Sequence, residues 1–98
     1  MRSKNETEVF KTAIDTYGEA HQLMMLFEEM SELQKEVCKA IRFKPGKYRD
    51  HIAEEIADVE IMLEQVKMIF NCDDMVEMWR LDKVCRLKER MGMLNNDE

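Results

Sequence analysis

The sequence predicts an all-α protein, a helical bundle of about four helices forming a single domain over residues 1–98. Three observations carry this. Apolar residues recur at three- and four-residue intervals through four successive segments. The 98 residues include only one Pro and three Gly, so strong breakers are few and well separated. The composition, 45% hydrophobic and 37% charged, suits amphipathic helices and is too apolar for a disordered chain. A domain of this size buries about 60–70% of its unfolded surface, so its own core is modest and oligomerisation would complete it.

The first helix is predicted from about Glu6 to Tyr17, where Val9, Phe10, Ala13, Ile14 and Tyr17 keep helical spacing, and Gly18 stops it. The second runs from about Glu19 to Arg42. Its apolar stripe is Leu23, Phe27, Met30, Leu33, Val37 and Ile41, with Leu26 and Ala40 alongside. FKPGKY carries the only Pro-Gly dipeptide, and Lys44-Pro45 ends the helix because the residue before Pro avoids helical geometry. The third helix starts near Tyr48–Asp50, with Asp50 as a candidate cap, and reaches about Phe70. Ile52, Ile56, Val59, Leu63, Val66 and Phe70 form its main stripe, while Ala57, Ile61 and Met68 lie on another side. A helix apolar on two sides calls for more cover than a surface helix has, which a second subunit supplies. Asn71-Cys72-Asp73-Asp74 breaks the pattern, with Asp73 or Asp74 capping a fourth helix from about Met75 to Met91. Gly92 ends it. Residues 1–5 and 93–98 are expected to be flexible.

A net charge of −6 argues against nucleic acid as a partner, since phosphate backbones need a basic surface. Cys38, Cys72 and Cys85 are odd in number and far apart, with no CxxC pair for zinc. They fit a reducing compartment better than a disulfide scaffold. MRSKNETEVF has no apolar signal core, and no run approaches the length of a membrane span. A cytoplasmic location without a membrane partner is the expectation.

The chemistry concentrates between Phe27 and Val59. FEEMSE gives EExxE through Glu28, Glu29 and Glu32, and HIAEEIADV gives ExxD through Glu55 and Asp58, with Glu54 just ahead. Residues three apart stand on neighbouring turns of one helix face. Two helices that bring the pairs Glu29/Glu32 and Glu55/Asp58 together concentrate about four negative charges, which protons or cations must offset. An all-oxygen set suits a hard cation, Mg2+ or Mn2+. On a helical wheel Glu55 falls inside the apolar sector between Ile52, Val59 and Met62, and Asp58 lies at its edge. Glu29, Glu32 and Glu36 flank the stripe of the second helix, with Gln22 and Met25 on the same edge. A charged, unpaired acid facing a core is costly, so its placement invites a role. The plainer readings are a solvated acidic face, which suits Glu36 and Glu64, or a core Arg or Lys beside Glu55. Neither His21 nor His51 follows an acid by three residues, so a di-iron Glu-x-x-His bundle is disfavoured. Shifting the second helix by 26 positions lays Glu29 on Glu55 and Leu33 on Val59, a weak internal echo.

EExxE, then 22 intervening residues, then ExxD resembles the MazG-like branch of the all-α nucleoside triphosphate pyrophosphohydrolases. The resemblance spans about Tyr17 to Arg90, including YGEAHQLMMLFEEMSELQKEV and HIAEEIADVEIMLEQV. It implies a MazG-like bundle in which Glu29, Glu32, Glu55 and Asp58 ligate Mg2+, with Mn2+ as a substitute. It implies cleavage of a nucleoside triphosphate between the α- and β-phosphates, and homodimers or homotetramers with sites at subunit interfaces. No early Trp is present to stack on a base; Tyr17, His21, Gln22 and Met25 are the substrate-facing candidates, with ordinary packing as the alternative for Tyr17 and Met25. Glu28 and Glu32 are the candidate general bases. A cation should meet the departing pyrophosphate: Lys83 first, then Lys35, Lys39, Arg86 and Arg90. The competing classes are a non-enzymatic helical interaction protein with a Met-rich surface, and an inactive nucleotide or metal sensor.

Overall fold

The computed structural model describes residues 2–43 and 45–93. They form α1 (Lys4–Tyr17), α2 (Glu19–Arg42), a single 3-10 turn (Pro45–Tyr48), α3 (Arg49–Ile69) and α4 (Asp73–Arg90), with no strand among them. None of these helices is long and apolar enough to cross a membrane.

Local chemistry explains the boundaries. Ser3 caps α1 through a reciprocal box: its hydroxyl accepts from the Glu6 amide, and the Glu6 carboxylate accepts from the Ser3 amide. Helix α1 therefore starts at Lys4, ahead of the start near Glu6 that the apolar spacing suggests. Arg2 reinforces this by donating to the Glu64 carboxylate at 2.8 Å and to Asp73 at the head of α4. Gly18 joins α1 to α2 at φ 95°, a conformation that disfavours any side chain. Phe43 caps the end of α2, while Lys44 lies outside the described residues. Tyr48, not Asp50, is the N-cap of α3, and Cys72, not Asp73 or Asp74, is that of α4; the two aspartates sit in the first turn of α4, where they favour the helix dipole. The turn before α4 is a Schellman motif. Asn71 takes φ 50°, its amide donates to the Met68 carbonyl, and the Cys72 amide donates to the Lys67 carbonyl. Gly92 closes α4 in the same way, at φ 71°. The expected tail at 94–98 lies outside the described residues.

The body of the molecule is the α2–α3 hairpin. α1 lies against both helices, whereas α4 meets only α3. The hairpin seam departs from the apolar stripes expected to form it. It is built from Gln22, Met25, Leu26, Glu29, Leu33 and Ala40 on α2 and from Glu55, Asp58, Met62 and Gln65 on α3, with Gln22, Ala40, Met62 and Gln65 buried. Phe27 and Ile41 of the expected stripe are 65% and 79% exposed, and Met30, Ile56, Leu63 and Phe70 are also exposed. Small Ala40 allows close approach near the turn. Further along, the Gln22 amide donates to Gln65 Oε1 at 2.7 Å, Gln65 Nε2 turns to the Met62 sulfur and Gln22 Oε1 meets His21 Nδ1, so both buried amides find partners at the seam.

The chain is correspondingly open. Its accessible surface is 8118 Å², so folding buries only about half of the unfolded surface, below the fraction usual for this size. The radius of gyration is 16.8 Å, against about 13 Å for a compact domain of this length.

Candidate metal centre

The seam itself positions the acids. Glu55 and Asp58 stand one turn apart on α3 and meet Glu29 across the hairpin, on the side of Met62 away from the glutamine pair. One carboxylate oxygen from each lies within 4.8 Å of the other two, and all three side chains are partly covered. Oε2 of Glu55 is buried and has no hydrogen-bond partner.

The electrostatics follow from this crowding. Burial, the Asp58 charge and a hydrogen bond with Asp58 raise the Glu29 carboxyl above its ordinary 4.5, and the Glu55 and Glu32 charges add to the shift. Burial also raises Glu55, followed by the charges of Asp58, Glu32, Glu54 and Glu36. No Lys or Arg is among the causes of either shift, so the core-cation reading of Glu55 finds no partner among the described residues. The cluster favours protons or cations, and its donors are all carboxylate oxygens, the set that a hard divalent ion accepts.

Glu32 stands outside the triad and is exposed, but its charge reaches both Glu29 and Glu55. Glu28 is exposed and lines a shallow depression with Phe27, Glu29, Ser31 and Glu32. Glu36, expected on a solvated face, has a side chain only 14% exposed and pairs with Lys39 at 3.2 Å. Glu64 likewise pairs with Arg2 and Lys67.

Among the substrate-facing candidates, Gln22 is 6% exposed and occupied with Gln65. Exposed His21 places Nδ1 2.7 Å from Gln22 Oε1 and lays its ring 5.6 Å from that of Tyr17. Met25 is partly covered in the seam. Lys83 stands on α4 with its ammonium 5.7 Å from the Trp79 ring. It shares a patch with Arg86, Glu89 and Arg90, and α4 makes no contact with α2. Within one chain the structure therefore gathers Glu29, Glu55 and Asp58 and leaves Lys83 apart.

Gln65 was not among the candidates. The signal available was its place on the line Glu55, Asp58, Met62, Gln65, which steps by three and four along α3. The chain matches no protein-family model, no curated protein and no solved structure.

Proposed function

We propose that the protein is a Mg2+-dependent nucleoside triphosphate pyrophosphohydrolase, converting a (d)NTP to the (d)NMP and pyrophosphate. In this reading it is a cytoplasmic, MazG-like bundle completed by further copies of itself. The observation that carries the reading is the convergence of Glu29, Glu55 and Asp58 around an unpartnered carboxylate oxygen of Glu55. The substrate class rests on the resemblance of EExxE and ExxD, at their spacing, to that family.

Glu29, Glu55 and Asp58 would hold the ion, with Glu32 at the margin. A bound Mg2+ offsets the charge of the acids and of the triphosphate and lowers the pKa of a coordinated water. The protein's part is to fix the three carboxylates through the α2–α3 seam, which the hydrogen bond from the Gln22 amide to Gln65 Oε1 helps to hold in register. Glu28 and Glu32, both exposed beside Glu29, would accept the proton of an attacking water. Tyr17, at the end of α1, and His21, in the first turn of α2, present an exposed ring pair that would suit a base. Lys83, on α4, belongs to a site only if another copy brings it there.

A second reading has its own support. Met24, Met30, Met75 and Met78 are exposed, as an adaptable binding surface requires, and a non-enzymatic interaction protein would use them. Product analysis by ion-exchange chromatography separates the two. The protein is incubated with a panel of NTPs and dNTPs, with Mg2+ and with chelator. Monophosphate and pyrophosphate, formed only with metal, is the expected result. Diphosphate and orthophosphate would remove the assignment of the cleaved bond, and no turnover on any substrate would shift the reading to binding alone.

A further inference from the structure

A line of polar contacts crosses the α2–α3 seam and ends at the surface. Gln65 Nε2 lies 3.9 Å from the Met62 sulfur, Gln22 Nε2 donates to Gln65 Oε1 at 2.7 Å, and Gln22 Oε1 lies 2.7 Å from His21 Nδ1. Met62, Gln65 and Gln22 are buried, so water does not compensate a mismatch among them. His21, at the end of the line, is exposed.

The sense of the line follows from which groups can donate. A thioether sulfur only accepts, so the group turned to Met62 is the NH2 of Gln65. Gln65 Oε1 then faces Gln22 and accepts from its NH2. This turns Gln22 Oε1 toward His21, and an amide oxygen also only accepts. The hydrogen between them therefore sits on Nδ1. Reversing both amides would let Gln22 donate to a bare Nδ1, but it would set Gln65 Oε1 against the sulfur, acceptor facing acceptor in a buried place.

We infer that this relay holds His21 in the Nδ1–H tautomer and presents its Nε2 as a bare acceptor, which takes a hydrogen bond from an N–H donor on the edge of a nucleobase. The bond made by one imidazole nitrogen decides the state of the other. An unconstrained histidine favours the hydrogen on Nε2, so the relay turns what would be an exposed donor into an exposed acceptor. Gln22 and Gln65 are positioning residues, buried and acting through His21. The ligand class follows from the surroundings. The Tyr17 ring lies 5.6 Å from the imidazole, so an aromatic surface and a bare acceptor share one place. A flat heterocycle with an N–H edge meets both, whereas a phosphate or carboxylate oxygen offers a bare Nε2 no hydrogen. His21 precedes Glu29 by eight residues, about 12 Å along α2, which leaves room for a sugar between base and acids. The choice of a base rests on the reading above; the tautomer does not.

Nitrogen-15 NMR of the imidazoles in the full chain tests the inference without turnover. At mildly alkaline pH, two-bond couplings to the ring hydrogens distinguish a bare nitrogen from a protonated one. His21 should show a protonated Nδ1 and a bare Nε2. Exposed His51, with no hydrogen bond among the described residues, should show the ordinary preference for Nε2–H. The double variant Gln22→Leu/Gln65→Leu removes both amides and strands neither, and should return His21 to the pattern of His51. A wild-type His21 with a bare Nδ1 would overturn the inference, whether or not the double variant folds. So would a folded double variant with the His21 tautomer unchanged. Adenosine 5′-monophosphate and purine riboside 5′-monophosphate, which differ only in the amino group, test the ligand. The first should shift the His21 Nε2 resonance and bind the wild type about threefold to tenfold more tightly than the second, and the double variant should bind them equally. Equal binding by the wild type would overturn the role of Nε2 as the base contact. Binding of neither would remove the base pocket of the reading above, a failure separate from that of the tautomer.

Discussion

Replacing Glu29 by Gln should stabilise the protein near neutral pH. The Glu29 carboxylate offers an oxygen within 4.8 Å of oxygens of Glu55 and Asp58. Two like charges at that separation repel by about 1 kcal/mol in a water-like dielectric. Two such pairs amount to about 2 kcal/mol, and since Glu29 is only partly covered, screening by solvent reduces the gain to about 1 kcal/mol. The pH dependence fixes the sign. The folded pKa of Glu29 is raised above 4.5. Well below 4.5 the group is protonated in both folded and unfolded chains, and Glu29→Gln matches the wild type. As pH climbs from 4.5 through the raised folded value, the folded chain gives up a proton that it holds more tightly than the unfolded chain does, so the wild type loses stability. The variant escapes that loss. At equal protein concentration its melting temperature near neutral pH should exceed the wild type's by about 4–8 °C. Mg2+ should reverse the order: a ligand at about a hundredfold excess over its Kd adds about 2.7 kcal/mol to the wild type, and the variant lacks one of its ligands. Circular dichroism melts across the acid-to-neutral range, with and without Mg2+, measure all of this. A Glu29→Gln variant less stable than the wild type at neutral pH, or equally stabilised by Mg2+, would mean that Glu29 neither repels Glu55 and Asp58 nor shares an ion with them.

Four further outcomes follow from named contacts. Glu55→Gln should lower pyrophosphohydrolase turnover by more than about a hundredfold, the upper effect of losing an outer-shell partner, while far-UV circular dichroism stays unchanged; undiminished turnover would remove Glu55 from the site. Gln22→Ala strips the donor from buried Gln65 and should destabilise the fold by about 1–3 kcal/mol in a denaturant titration, and a neutral effect would mean that the pair does not set the seam. Ser3→Ala should cost about 1 kcal/mol by breaking the capping box, read as faster amide exchange confined to the start of α1. Burial alone would raise Glu64, but hydrogen bonds and charge from Lys67 and Arg2 outweigh it and hold the carboxyl below 4.5. That contribution is present above 4.5 and is lost as pH falls through the lowered value, so Arg2→Ala should move the Glu64 titration upward by NMR and weaken the protein most above that window.

Much of the architecture could be read from local signals. The ends of α2, the glycine between α1 and α2, the Pro-Gly break and the i,i+3 acid pairs each depend on residues close in sequence, and the helices follow them. The direction of the helices could not be read in the same way. A wheel gives angles between residues but not which sector faces the rest of the same chain. The Phe27 and Ile56 stripes are the more apolar sectors, and they face outward; the hairpin closes instead on Glu29, Glu55, Asp58, Gln22 and Gln65. Which sector turns inward is decided by what the neighbouring helix presents, and a pattern read along one helix does not display that. The Ser3-x-x-Glu6 box was present in the sequence as a start signal. Asn71 could be recognised as a helix end, and the left-handed conformation that makes it one is a property of the folded turn. Gln65 carries no motif of its own, and its part emerges only opposite Gln22.

Titrating Mn2+ into the protein and following the free ion by electron paramagnetic resonance shows whether Glu29, Glu55 and Asp58 form a divalent-cation site. Saturable binding to the wild type is expected, with competition by Mg2+, loss of that binding in Glu55→Gln, and weakening as pH falls into the range where Glu29 and Glu55 take up protons. Equal Mn2+ uptake by the wild type and Glu55→Gln would contradict this.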